Sequence, residues 1–146
     1  MALIVSACLL LVVLTTVIHY EVLRGLSLWL PELPIRPRAK LIVVILGTFM
    51  AHLLEIALYA FAVFALVRYA GLGSVGDEGR FSLAVSLYFS AETFTSLGYG
   101  DVVPGGDVRL LAGTEALNGL LLIGWSASYA YIAMERFWRD GLGERI

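Results

Sequence analysis

Between two long apolar stretches of the chain lies the segment Thr95–Asp101, which reads TSLGYGD and is followed by Pro104. It comes directly after Phe81–Phe94, an apolar stretch that is too short to cross a bilayer, since a spanning helix needs about 20 residues. Irregular backbone at membrane depth is stable only where protein buries it or water lines it. A half-length helix followed by a glycine-spaced turn therefore predicts a segment that re-enters the membrane beside a protein-lined cavity.

The composition of the whole chain is that of a membrane protein. Of its 146 residues, 60% are hydrophobic and 15% are charged, whereas soluble domains have about 45–50% and 25%. This excess argues against a soluble enzyme and against a disordered tail. The net charge of −2 offers no basic field for a nucleic acid. The single cysteine, Cys8, excludes an intrachain disulfide. We expect no enzymatic activity, no cofactor and no nucleic-acid partner.

Three stretches are long and apolar enough to span the bilayer, namely Met1–Ile18, Leu41–Val67 and Leu110–Met134. The first also has the hydropathy of a signal peptide, but no basic residue precedes it, and a retained helix is favoured. Of the 10 basic residues, seven lie between the first two stretches or after the third: Arg24, Arg36, Arg38, Lys40, Arg136, Arg139 and Arg145. Because basic residues favour the cytoplasmic side, we expect a multi-pass protein of the cell membrane with its N-terminus outside and its C-terminus in the cytoplasm.

The segment Ser96–Asp101 resembles the selectivity filter of the tetrameric potassium channels, which reads Thr-Val-Gly-Tyr-Gly followed by Asp. The resemblance covers about Val44–Trp138 and includes an outer helix, a pore helix, the filter and an inner helix. It implies a homotetramer in the lipid bilayer, because one pore loop per chain cannot close a ring. It also implies K⁺ as the permeant ion. Two positions depart from the family pattern, since Ser96 stands for Thr and Leu97 for Val.

The expected fold class is an all-α membrane protein with three transmembrane helices, a re-entrant pore helix and a selectivity filter. The expected segments are an N-terminal transmembrane helix over 1–19, a cytoplasmic amphipathic linker over 20–40 and a pore domain over 41–138, followed by a short cytoplasmic tail over 139–146. Within the pore domain we expect an outer helix over 41–68, a turret over 69–80, a pore helix over 81–94, the filter over 95–101 and an inner helix over 108–138.

The chemistry of K⁺ binding accounts for the residue types in this filter. A dehydrated K⁺ ion needs a ring of oxygens in place of its water. By the resemblance, the backbone carbonyls of Ser96, Leu97, Gly98 and Tyr99 supply them. Gly98 and Gly100 reach the required backbone dihedrals without strain at Cβ. The Ser96 hydroxyl is expected to complete the innermost site.

Other residues of the pore unit are expected to support the filter. The resemblance implies that Glu92 pairs with Asp101 behind it and that one of these carboxyl groups holds a proton; the alternative is that Glu92 bonds only to backbone. Thr95 is expected to support the filter at its start. Gly119 and Gly124 are candidates for a hinge in the inner helix, since glycine makes bending easier. Close packing of small residues is the alternative for both.

Two pairs of polar side chains stand out within the predicted spans. His52 and Glu55 are three residues apart and share one helix face, as do Glu115 and Asn118. Ionisable groups inside a membrane are costly and usually functional. They form either a cluster that senses protons or metal, or interhelical hydrogen bonds that hold the bundle together. The second interpretation is favoured, because two groups from one chain are too few for a metal site.

The sequence thus predicts a passive potassium-selective channel. A less selective cation channel is the first alternative, because of Ser96 and Leu97. A non-conducting pore-loop subunit or sensor is the second, and it would use the cluster of His52, Glu55 and Glu115.

Overall fold

The computed structural model describes residues 1–143, with side chains for all of them except Glu78 and residues 138–143. Helices dominate this part of the chain: α1 (Ala2–Trp29), α2 (Pro37–Arg68), α3 (Leu83–Phe94) and α4 (Val108–Gly143). Two short antiparallel strands, β1 (Ser74–Val75) and β2 (Pro104–Gly105), and a 3₁₀ turn at Glu78–Arg80 lie between the helices.

Helix length separates the elements that cross the membrane from the one that does not. The helices α1 and α2, and Val108–Phe137 of α4, are long and apolar enough to span. At a rise of 1.5 Å per residue, α1 is about 42 Å long, which exceeds the roughly 30 Å of a bilayer core. The 12 residues of α3 extend only about 18 Å. The predicted all-α membrane fold with three spans and one half-length helix is confirmed.

Several predicted boundaries differ from the observed ones: α2 begins at Pro37 rather than at residue 41, and α3 at Leu83 rather than at residue 81. The expected helix over 1–19 and amphipathic linker over 20–40 are replaced by one continuous α1 that ends at Trp29. No proline interrupts the chain before Pro31, so nothing stops the helix earlier. In the same way, α4 continues into the predicted tail over 139–146 as far as Gly143, and residues 144–146 lie outside the described residues.

The helices pack so that the two ends of the bundle are distinct. The first helix contacts both α2 and α4, and α3 lies against the same two helices. At one end, the amino group of Met1 lies 3.4 Å from the Asp107 carboxylate, which places the starts of α1 and α4 together. At the other end, Leu30 packs with Phe137. The first and last helices therefore run parallel, and α2 runs antiparallel to both.

The apolar core lies around α3. Phe89 and Phe94 of this helix are buried against Tyr59 of α2 and Leu111 of α4. Ser82 is the N-cap of this helix. Its hydroxyl accepts a hydrogen bond of 3.3 Å from the backbone N–H three residues later. The core thereby holds the C-terminal end of α3, where the TSLGYGD segment begins, at a fixed depth in the bundle.

Candidate functional site

The filter segment (Thr95–Asp101) stays hydrogen-bonded to the helix from which it emerges. The N–H of Leu97 donates to the carbonyl of Glu92 at 2.8 Å, and the N–H of Gly98 reaches the same carbonyl at 3.3 Å. The last four carbonyls of a helix have no partner inside it, and these bonds satisfy one of them. The buried end of α3 at Phe94 therefore positions the start of the filter segment.

The backbone of the filter segment has positive φ at every second residue. The angles are 56° at Ser96, 53° at Gly98 and 81° at Gly100. Within residues 1–143, Ser96 is the only non-glycine residue with positive φ. Such a conformation costs on the order of 1–3 kcal/mol and persists only where the surroundings impose it. In a regular strand successive residues face opposite sides, and reversing φ at alternate positions lets consecutive carbonyls face one side.

The outer face of the filter segment is bare in a single chain. Every residue from Thr95 to Asp101 is exposed, with Leu97 at 57% and Tyr99 at 70%. A methyl group added at Gly98 or Gly100 would meet no atom within 4 Å, so the need for glycine comes from φ alone. Irregular backbone is not tolerated against lipid. This face must therefore be covered by further protein or line a water-filled cavity.

The residues expected to support the filter find partners on α3. The Thr95 hydroxyl donates to the Ala91 carbonyl at 2.7 Å. The Tyr88 hydroxyl donates to both carboxylate oxygens of Asp101, at 3.0 and 3.1 Å. Glu92 is buried, and its Oε2 has no hydrogen-bond partner among the described residues. The structure thus places Glu92 and Asp101 at the filter without a hydrogen bond between them.

Charge links these two carboxyl groups through space. Burial and the neighbouring Asp101 raise the pKa of Glu92. Partial burial and the hydrogen bond to Asp101 raise the pKa of Tyr88 to about 12, so this hydroxyl keeps its proton and remains a donor. Asp101 therefore has a permanent neutral partner, and its charge favours the protonated form of Glu92.

The two candidate hinge glycines have different surroundings. A methyl group at Gly119 would overlap the backbone carbonyl of Phe94, while one at Gly124 would meet nothing within 4 Å. At Gly119, α4 thus approaches the end of α3 closely. This contact is the close packing that small residues allow between helices.

A cluster of buried polar side chains, the histidine cluster, joins three helices behind the filter segment. It consists of His19 on α1, His52 and Glu55 on α2, and Ser126 on α4. The two oxygens of Glu55 each lie 2.9 Å from an Nδ1 atom, one of His19 and one of His52. The Ser126 hydroxyl lies 3.2 Å from Nε2 of His19 and 3.0 Å from Nε2 of His52. The imidazole rings stack with centroids 5.2 Å apart.

Hydrogen atoms are scarce in this ring of four contacts. Each contact needs one hydrogen, and the Ser126 hydroxyl supplies one. Two neutral imidazoles supply two more, so an ionised Glu55 leaves one short contact between two acceptors. An additional proton on Glu55 or on either histidine satisfies all four contacts and makes the cluster neutral. With Glu55 ionised and both imidazoles neutral, the cluster is therefore one hydrogen short.

A second polar group lies apart from the histidine cluster. The Asn118 amide donates to the Thr15 hydroxyl at 2.8 Å and to the Tyr59 hydroxyl at 3.1 Å, which joins α4 to α1 and α2. Glu115 is fully buried, and neither of its carboxylate oxygens has a hydrogen-bond partner among the described residues. The Ser90 hydroxyl of α3 is the group that faces the Glu115 carboxyl, although the two do not reach hydrogen-bond geometry.

The expected cluster of His52, Glu55, Glu115 and Asn118 is thus divided in two. No hydrogen bond between its two halves occurs among the described residues. Phe94 connects the halves by packing, because its ring centroid lies 5.8 Å from that of His52 and 6.4 Å from that of Tyr59. Both polar groups therefore contact the last residue before the filter segment.

The sequence pattern of the ion channel family matches residues 40–136, which is more than half of the chain. The chain belongs to the ion channel family. No curated protein and no solved structure shows a significant match to it. The matched range begins at the start of α2 and includes the filter segment and most of α4, so these elements are the pore unit of an ion channel. This match and the three helices that are long and apolar enough to span a bilayer show that the protein is a multi-pass membrane protein.

The first helix lies outside the matched range, yet it supplies polar side chains to this ion channel. His19 and Thr15 are four residues apart on α1 and both are fully buried. Their spacing places them on one helix face, a signal that sequence reasoning overlooked. Ser126 was overlooked too, and as one of several small residues in α4 it carried no comparable signal.

Proposed function

We propose that this ion channel conducts K⁺ selectively and passively through a pore formed by four copies of the chain. The filter segment TSLGYGD would bind dehydrated K⁺ with the backbone carbonyls of Ser96, Leu97, Gly98 and Tyr99. The observation that carries the proposal is positive φ at every second residue of this segment, including the non-glycine Ser96. This backbone suits a stack of carbonyl oxygens that all face one axis.

The bare face of the filter segment supports the assembly. One chain supplies only one wall of a K⁺ site, while the ion needs oxygens all around it. In a ring of four chains, the exposed side chains of Leu97 and Tyr99 would pack behind the carbonyls against α3 of the same or the neighbouring chain. The C-terminal end of α3 would add the partial negative charge of its dipole below the filter, which favours a cation there.

The orientation in the membrane follows from charge. Among the residues with described side chains, five basic residues lie at the end of the bundle that contains Leu30 and Phe137, opposite the filter segment: Arg24, Arg36, Arg38, Lys40 and Arg136. By the preference of Lys and Arg for the cytoplasm, that end would face inward. The filter segment and the N-terminus of α1, which lies beside Asp107, would then face outward.

The test is ion flux through purified protein in liposomes, under K⁺ or Na⁺ gradients. We expect K⁺ flux to exceed Na⁺ flux at least about tenfold, which corresponds to 1.4 kcal/mol of discrimination. Gly98→Ala should abolish this preference, because alanine is strained at positive φ. Gly79→Ala is the matched control, since an added methyl group there meets nothing within 4 Å and φ is not positive.

A less selective cation channel is the second candidate, because Ser96 and Leu97 replace the Thr and Val of potassium filters. This candidate would be favoured if the parent protein carries K⁺ and Na⁺ at equal rates and the Gly98→Ala variant carries neither ion. Absence of any flux from tetramers in liposomes would contradict both candidates and favour a non-conducting subunit or sensor.

A further inference from the structure

We propose that His19, His52 and Glu55 form a binding site for a divalent transition-metal ion such as Zn²⁺, which fastens α1 to the pore unit. One ligand atom from each residue lies within 4.8 Å of the other two. Two atoms bound to one Zn²⁺ at about 2.0–2.1 Å in tetrahedral geometry are roughly 3.3 Å apart. Side-chain movements of about 1 Å or less would therefore bring the three ligands to bonding distance.

The ligand types select the metal. Two imidazoles and one carboxylate suit Zn²⁺ and Co²⁺, whereas Mg²⁺ and Ca²⁺ prefer sites made of oxygens. Three protein ligands leave a fourth position open, as in many zinc sites that bind a small molecule or water. The pair of histidines and the glutamate come from two helices, α1 and α2, and the site exists only where these helices pack together.

Ser126 is placed to orient both imidazoles once a metal is bound. A histidine that binds metal through Nδ1 carries its hydrogen on Nε2 and usually donates it to a fixed acceptor. Both Nε2 atoms lie within 3.2 Å of the Ser126 hydroxyl oxygen, which has two lone pairs. Each imidazole can then donate to one lone pair. With metal bound, no contact in the cluster is left between two acceptors.

The electrostatic surroundings favour a cation at this place. Glu55 is fully buried and contributes one negative charge when ionised, and a buried charge is costly unless it is paired. The ring of Phe94, the last residue of α3, lies against His52 and encloses the cluster on that side. Access is provided at His52, whose side chain is 17% exposed, while those of His19 and Glu55 are fully enclosed.

Metal binding to the purified full-length chain in detergent tests the proposal, and this measurement is independent of which ion the pore conducts. After dialysis against a chelator, we expect the protein to take up one Zn²⁺ per chain and to gain thermal stability, because a ligand that binds only the folded state stabilises it. Mg²⁺ should give neither result. Failure of the parent protein to bind Zn²⁺, or binding without a rise in Tm, would overturn the proposal.

Variants locate the metal. His19→Gln should weaken Zn²⁺ binding at least about tenfold, and Ser126→Ala about 10- to 100-fold through loss of the imidazole acceptor. Thr15→Val is the matched control on the same helix face: it removes the hydrogen bond from Asn118 and lowers Tm, but it should retain the Zn²⁺-dependent rise. If His19→Gln binds Zn²⁺ as tightly as the parent, the metal lies elsewhere and the proposal is wrong.

A second variant, which should gain a spectroscopic band, tests the same residue if His19→Gln fails to fold. His19→Cys retains a metal ligand, and in the Co²⁺-loaded protein it should add a thiolate-to-cobalt charge-transfer band that the parent lacks. The only other cysteine, Cys8, is present in both proteins and serves as the internal reference. A folded His19→Cys protein that binds Co²⁺ without this band would exclude residue 19 from the site.

Discussion

The filter segment and the histidine cluster are built in opposite ways. The filter segment consists of backbone groups, is exposed along its length and lacks protein on one face. The histidine cluster consists of side chains, is buried and is closed within a single chain by four short contacts. Phe94 separates the two and touches both. Under the proposed function, ion conduction therefore depends on assembly, whereas the contacts between α1 and the pore unit lie within one chain.

Among the substitutions that test this comparison, Glu55→Leu is expected to change the stability most. It removes the partner of both Nδ1 atoms, and each buried polar group left without a partner costs about 1–3 kcal/mol. We expect the free energy of unfolding to fall by about 2–5 kcal/mol, measured by denaturant titration in detergent with far-UV circular dichroism. Leu54→Ala, at the exposed neighbouring position, is the control. Equal stability of the two variants would show that the cluster does not hold the chain together.

Gly119→Ala tests the packing between the filter's supporting helix and α4. The added methyl group overlaps the Phe94 carbonyl, and such overpacking typically costs 1–3 kcal/mol. Gly124→Ala has open space and should be neutral or stabilising by up to about 1 kcal/mol, because alanine favours helix. Unfolding of both variants under the same conditions gives the comparison. A destabilised Gly124→Ala with an unchanged Gly119→Ala would reverse our assignment of the contact.

Two substitutions at Ser96 separate backbone strain from the hydroxyl group. Ser96→Gly relieves positive φ and should leave the stability unchanged or raise it by up to about 1 kcal/mol. Ser96→Ala keeps the backbone strain and should not raise the stability. Both remove the hydroxyl, so K⁺ flux should fall in both if that group completes the innermost ion site. Unchanged flux in both variants would assign no role in conduction to the hydroxyl.

The smallest expected effect is a change in the pH dependence of stability when Glu92 is replaced. Its pKa is raised in the folded protein by burial and by Asp101, above the value of 4.5 for an unperturbed glutamate. The protonated form is thus stabilised by folding. This contribution is complete below about pH 4.5 and is lost as pH rises through the raised pKa. Glu92→Gln should make the stability of the filter region less dependent on pH above that value.

Thermal unfolding measured between about pH 5 and pH 8 checks this sign. Glu32→Gln, at an exposed position in the connection between α1 and α2, is the control and should retain the pH dependence of the parent. A steeper loss of stability with pH in Glu92→Gln than in the parent would contradict the prediction.

Much of the fold was predictable because it depends on the length and hydropathy of continuous stretches of sequence. The apolar stretches are long enough to span a bilayer, and α3 is visibly too short, so the three spans and the half-length helix follow from length and hydropathy. Helix ends were less predictable. The apolar spacing around Arg24 suggested a separate amphipathic segment, but α1 is continuous there, and Arg24 forms a 3.0 Å ion pair with Glu21 one turn before it.

The membrane fold was predictable from the sequence because it depends on chain length and hydropathy, and the filter segment was predicted from its resemblance to potassium channels. Only the tertiary structure decided which polar side chains meet. His19 is 36 residues from Glu55 and Ser126 is 107 residues from His19, and no local pattern reports which helix faces pack together. Two candidate ligands on α2 were too few to predict a metal site, and the packing of α1 places a third, His19, beside them.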